Sequence, residues 1–212
     1  MKTLYRPVGL TEMKLILDLH LGGFPPRLPE QPIFYPVLNK PYADQIAREW
    51  NTKDLFSGYA GFVTEFDVAS PYIDQYEEHV VGARHHLELW IPAEEMDDFN
   101  HQIVGPIRVV DIYYGTDYVG LIPGGSVFEN QSAAQQLITW KNILECNAMD
   151  FYSEIREHWQ HIFTSYPYWS QRGFTGYGLS EATKNEVLGT MKEYWNGLFP
   201  DMVLLSLGKE AL

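Results

Sequence analysis

The 212-residue chain is long enough for one sizeable domain or two small ones, and its 45% apolar and 20% charged residues exclude a disordered or fibrous chain. A formal net charge of −13, spread over both halves, repels phosphate backbones and anionic lipid, so neither general nucleic-acid binding nor a membrane role is expected. The one cysteine, Cys146, permits no internal disulfide, and the opening MKTLYRPVGLTEMK carries no apolar leader, so the expected compartment is the cytoplasm.

In chain order, Leu4 to Val8 reads as a short strand broken by Gly9. From Thr11 the apolar residues Met13, Leu15, Ile16 and Leu19 recur at helical spacing, and Gly22-Gly23 ends the helix. FPPRLPEQP, from Phe24 to Pro32, is a loop whose prolines restrict it to extended backbone. Ile33 to Val37 is a second strand, with Pro36 arguing for an edge or a bulge. Asn39 is suited to cap a helix running to about Trp50, with Pro41 tolerated in its first turn.

After the Ser57-Gly58 turn, Tyr59 to Val68 is rich in aromatic and β-branched residues and predicts a strand. A short helix is expected near Pro71 to Gln75, a strand from Leu87 to Ile91, a helical turn from Pro92 to Met96, and a last strand from Ile107 to Tyr113. The acidic clusters Glu77-Glu78 and Glu94 to Asp98 read as solvated faces and helix-start charges. Short strands alternating with short helices predict an α+β sheet domain over 1–115.

The remainder, 116–212, reads as mostly helical after a glycine-bearing connector that could form a hairpin. Helices are expected over Ser132 to Cys146, Met149 to Ser165, and from a Ser180 cap to about Trp195. Between the last two, Tyr166 to Gly178 reads as an aromatic loop packed among helices, and Met202 to Leu207 as a final strand or tail. Trp140, Trp159 and Trp195 are expected in the core.

Nucleotide-loop, zinc-protease, paired-cysteine and serine-hydrolase signatures are absent. Cys146 sits beside Glu145, whose charge disfavours a thiolate, so it reads as structural. Glu154, His158 and His161 share one helix face and read first as a polar stripe, so no metal site is expected. His85 and His86 would face opposite sides of a strand. A lone carboxylate on an apolar strand, Glu88, is more telling: facing inward it would be costly without partners and so implies a role, whereas facing solvent it means only a half-exposed strand.

The strings LYRPVG, FPPRLPEQPIFYPVLN and ELWIPAEE, followed by FN and IVGPI, resemble a family of small bacterial proteins associated with ADP-ribosylation. The order of features over residues 4–113 is also similar to the ADP-ribosyltransferase layout. That resemblance implies a small mixed or antiparallel sheet domain of ADP-ribosyltransferase-like type, with NAD as substrate. It assigns Arg6, Tyr5, Phe34 and Tyr35 to NAD binding, and Glu88 and His86 to catalysis. In that scheme Arg6 neutralises the diphosphate, Tyr35 or Phe34 stacks on nicotinamide, and Glu88 stabilises the oxocarbenium-like ribose. His86 stands where arginine-modifying enzymes carry a second acid, and Phe34-Tyr35-Pro36 stands in place of a Ser-Thr-Ser strand. A competing expectation is a non-catalytic acidic module that binds a basic protein partner, supported by the charge of −13 and the aromatic segment Tyr166 to Phe174.

Overall fold

The computed structural model describes residues 1–205. The chain divides into two units between Thr116 and Asp117, and each is taken by itself. The fold is α+β, with antiparallel sheets in the first unit and helices in the second.

The first unit runs β1 (Lys2–Val8), α1 (Leu10–Asp18), β2 (Ile33–Phe34), α2 (Lys40–Glu49), β3 (Ala60–Val68), α3 (Ser70–Ile73), β4 (Glu78–Val80), β5 (Leu87–Leu89), β6 (Ile91–Pro92), α4 (Met96–His101) and β7 (Ile103–Tyr114). Its main sheet has the order β1-β3-β7, antiparallel throughout. β3 takes the centre because its Ala, Phe and Val run can be buried on both faces. One face is covered by α2: Ala43 and Ala47 meet Val63, with Tyr5, Ile46 and Tyr113 at the margin. On the other face Phe24, Phe34, Phe66 and Phe99 form a ring cluster with centroids 4.8 to 6.5 Å apart.

Local signals explain several boundaries. The Asn39 side chain accepts from the Tyr42 N–H and caps α2, with Pro41 in the first turn, as expected. The strand expected at Leu87 to Ile91 is split: β5 pairs with β4, while β6 turns away to pair with β2. β4 itself falls where the glutamates suggested only a solvated face. The Lys2 ammonium meets Glu78 there at 2.8 Å. β7 begins four residues earlier than expected, because Ile103 and Val104 already pair with Val68 and Asp67.

The second unit contains α5 (Ala133–Cys146), α6 (Ala148–Glu157), α7 (Trp159–Gln171) and α8 (Glu181–Leu198). Ser132 and Gln135 form a capping box for α5, and Ser180 caps α8. Trp140, Trp169, Trp195, Phe128 and Phe151 are fully buried, whereas Trp159 is half-buried.

Three expectations are corrected here. The helix expected over Met149 to Ser165 is two helices that break at His158. The segment from Tyr166 is not a loop at first, since α7 continues through Pro167 to Gln171. Proline costs an interior helix roughly 3 kcal/mol, but His161 to Trp169 are all buried, and that packing outweighs it. The connector forms no hairpin among the described residues. Instead the Tyr118 hydroxyl donates to the Thr164 carbonyl at 3.0 Å, and the Leu121 carbonyl meets His161 Nδ1 at 2.9 Å. The segment from Met202, expected as a final strand or tail, is irregular to residue 205, and its remainder lies outside the described residues.

Candidate functional site

The first unit carries a groove of about 420 Å³, within the roughly 300–1,000 Å³ range of small-molecule sites. It forms because residues 35–38, too irregular to be a long strand, lie between β1 and β5. Tyr5 and Val37 exchange backbone hydrogen bonds at 2.9 and 2.7 Å on one side. On the other side Leu38 N–H donates to the Leu87 carbonyl at 3.0 Å, and Leu89 N–H to the Pro36 carbonyl at 2.9 Å. Arg6 and Pro7 from β1, Tyr35 and Val37 from the middle segment, Ile46 from α2, and Val81, Glu88 and Trp90 from the β5 side thereby line one space.

The acidic wall of the groove is Glu88. Its Oε1 accepts the Tyr42 hydroxyl at 2.9 Å and its Oε2 accepts the Trp90 indole N–H at 3.3 Å. Both donors are neutral, so the carboxylate is oriented without its charge being cancelled. Burial, and then the bond to Glu88, push the Tyr42 phenol up to about 12. The Trp90 ring is 45% exposed and lies edge-on to Tyr35, which is 40% exposed, at 6.1 Å. His79 stacks behind Trp90 at 4.1 Å and holds it in place.

The opposite wall is Arg6. Its guanidinium sits over the Phe34 ring at 4.5 Å, a cation–π contact that fixes its plane. Nε and Nη2 donate to the two Glu12 oxygens at 2.8 and 3.1 Å, and Nη1 donates to the Tyr35 carbonyl at 3.2 Å. Arg27 approaches the same carboxylate at 3.7 Å. Burial, followed by the charge of Arg6, lowers the Arg27 pKa.

Among the residues that the sequence singled out, Arg6, Tyr35 and Glu88 come together in the groove. The other three do not line it. Phe34 is fully buried beneath Arg6 and has no face free for a ligand ring. Tyr5 lies on the α2 side of the sheet, where burial and then a bond to Glu65 raise its pKa. His86 stacks on Tyr42 at 4.1 Å, with Nε2 3.0 Å from Gln45 Oε1. Sequence reasoning missed Trp90, Tyr42 and Glu12. An indole two residues beyond an isolated strand glutamate was a signal for the first of these. The other two depend on the tertiary placement of α2 and α1.

In the second unit, His158 Nε2 meets Glu154 at 3.2 Å, while His161 points into the core. Among the described residues no group of three His, Cys, Asp or Glu side chains could hold a metal ion. None of the described helices is long and apolar enough to cross a membrane.

Comparison with protein-family profiles, with characterised proteins and with solved structures finds no match for this chain.

Proposed function

We propose that the first unit, read as a domain of ADP-ribosyltransferase-like type, binds NAD in this groove and cleaves its nicotinamide–ribose bond. ADP-ribose then passes to water or to an acceptor. The observation that supports this is the convergence of Arg6, Tyr35 and Glu88, from three distant segments, on one groove. The nicotinamide of NAD is a cationic ring, and exposed aromatic faces beside a carboxylate suit such a group. As the carbon–nitrogen bond breaks, its electron pair leaves with nicotinamide, which becomes neutral, and positive charge moves onto the ribose. Glu88, held by Tyr42 and Trp90, is placed to stabilise that charge. The incoming oxygen then bonds to the ribose carbon and releases its proton to solvent or to Glu88. Arg6 meets the diphosphate.

Calorimetric titration of NAD, with nicotinamide release followed by chromatography, tests the reading. Wild-type protein is expected to bind and to release nicotinamide. Arg6→Ala is expected to weaken binding, and Glu88→Gln to keep binding but lose release. No heat even at millimolar NAD would sink the proposal.

A second reading rests on the same wall. A carboxylate sharing a groove with two exposed rings, on a protein of net charge −13, also suits a Lys or Arg side chain of a basic partner. Under that reading the protein is a non-catalytic binding module. Capture of a lysine- or arginine-rich peptide, lost in Trp90→Ala, with no nicotinamide release from NAD, distinguishes it.

A further inference from the structure

The corner behind the groove holds two guanidiniums and one carboxylate. Arg6 is chelated by Glu12, and Arg27 stands 3.7 Å from the same carboxylate, too far for a hydrogen bond. The Arg27 side chain is only 10% exposed, and its Nε is buried with no acceptor. A buried donor left without a partner is uncommon and calls for an explanation. In a chain of net charge −13 this corner carries one excess positive charge.

We propose that Arg6 is a guarded site for one phosphate group of the ligand, with Arg27 as the second guanidinium that takes over Glu12 when the phosphate arrives. Glu12 is the internal anion that holds the site in its empty state, and it passes from Arg6 to Arg27 when phosphate arrives. This rests on the NAD reading only for the ligand's identity. The parts differ in freedom in the way an exchange requires. Arg6 is pinned by the Phe34 ring and the Tyr35 carbonyl. Arg27 lies in the proline-restricted FPPRLP segment, which limits its backbone. Glu12 is the most exposed of the three, with 23% of its side chain accessible, and it swings on its own torsions from the first turn of α1.

Three of the five Arg6 N–H donors are engaged, and the Glu12 carboxylate occupies the Nε/Nη2 edge that a phosphate would chelate. Phosphate on that edge displaces Glu12. The Arg27 Nε–H then gains the acceptor it lacks. Glu12 is therefore a positioning residue that lowers affinity for anions in the resting protein and keeps Arg6 oriented.

The test uses the full chain and inorganic pyrophosphate, alongside NAD. Glu12→Gln is expected to bind pyrophosphate on the order of tenfold more tightly, because one competing negative charge is removed. Arg27→Gln is expected to weaken binding in the wild-type background and to do much less in the Glu12→Gln background, because Arg27 then has no carboxylate to receive. Equal effects in both backgrounds, or no gain from Glu12→Gln, overturn the exchange. Should Glu12→Gln fail to fold, the wild-type protein still decides. The Arg27 Nε–H resonance should move on saturation with pyrophosphate, and an unmoved resonance overturns the exchange. Wild-type binding of NAD without these effects leaves the NAD reading standing and removes only this inference. Gain for pyrophosphate without NAD binding does the reverse.

Discussion

The Tyr42 hydroxyl, on the buried side of α2, donates to Glu88 Oε1 at 2.9 Å across 46 positions of sequence. Tyr42→Phe keeps the ring, its packing and its stack with His86 but leaves Glu88 with the indole as its one remaining donor of the pair. Loss of a hydrogen bond to a charged group costs roughly 1.5–3 kcal/mol. Any nicotinamide release that depends on an oriented Glu88 should therefore fall on the order of tenfold or more. Steady-state release assays on Tyr42→Phe check this, and an unchanged rate would remove Tyr42 from the site.

The same pair predicts behaviour at high pH. The Tyr42 pKa is raised to about 12 in the folded state, first by burial and then by Glu88, against an ordinary phenol near 10. Its contribution is present below about pH 10. It is lost as pH rises through about 12, because the unfolded chain ionises first. Ultraviolet titration should show several tyrosines ionising late, Tyr42 among them with Tyr72, Tyr76 and Tyr118, and Tyr42→Phe should lower that late amplitude by one tyrosine.

In the second unit the sign is opposite. Burial depresses His161 to about 4, with a smaller contribution from His158, while the Leu121 carbonyl bond pulls the other way. Because the folded pKa lies below the unfolded one, its contribution is present above about pH 6.5 and is lost as pH falls toward 4. The slope reaches roughly 1.4 kcal/mol per pH unit. Urea melts of this unit between pH 7 and 4 should show falling stability. His161→Gln keeps a donor for Leu121 without titrating, and it should flatten the decline.

Lys40 ties the first turn of α2 to the sheet, bonding Asp111 of β7 at 2.7 Å and Asp44 at 2.8 Å. Desolvation lowers its pKa, but the bonds to Asp111 and Asp44 outweigh this and the net shift is upward. The side chain is about a third exposed, so solvent screening holds the Lys40–Asp111 coupling to about 1 kcal/mol or less. A double-mutant cycle with Lys40→Met and Asp111→Asn measures it. The coupling should shrink in high salt.

Local chemistry made much of this protein legible from sequence. Asn39, Ser132 and Ser180 fixed helix starts because a cap is decided within three residues. Glu88 stood out because an acid amid Leu and Trp is locally anomalous. What was not legible depends on distance. The strand expected from Leu87 to Ile91 splits because its two halves find different partners, Glu78 to Val80 and Ile33 to Phe34. Phe34 and Tyr35 are adjacent and similar in type, yet the pleat sends one under Arg6 and the other to the groove. The stretch from Tyr166 read as an aromatic loop, yet its first residues continue α7, because the burial that offsets the local cost of Pro167 is tertiary.

The close seat of α2 on β3 gives a final prediction that links fold to site. A Cβ at Gly61 would stand 2.4 Å from the Ala47 carbonyl oxygen and 2.6 Å from its Cα, backbone atoms that cannot rotate away. Gly61→Ala must therefore push α2 off the sheet, at roughly 1–3 kcal/mol. α2 carries Tyr42 and Ile46, so the displacement should also loosen Glu88 and widen the groove. The contrasting change is Gly189→Ala, in the middle of α8, where an added Cβ meets nothing within 4 Å. There the helix should gain up to about 1 kcal/mol from reduced backbone freedom. Denaturant midpoints should move in opposite directions for the two variants, and only Gly61→Ala should alter ligand affinity. Equal behaviour of the two would mean that α2 does not rest on Gly61 as closely as these distances require.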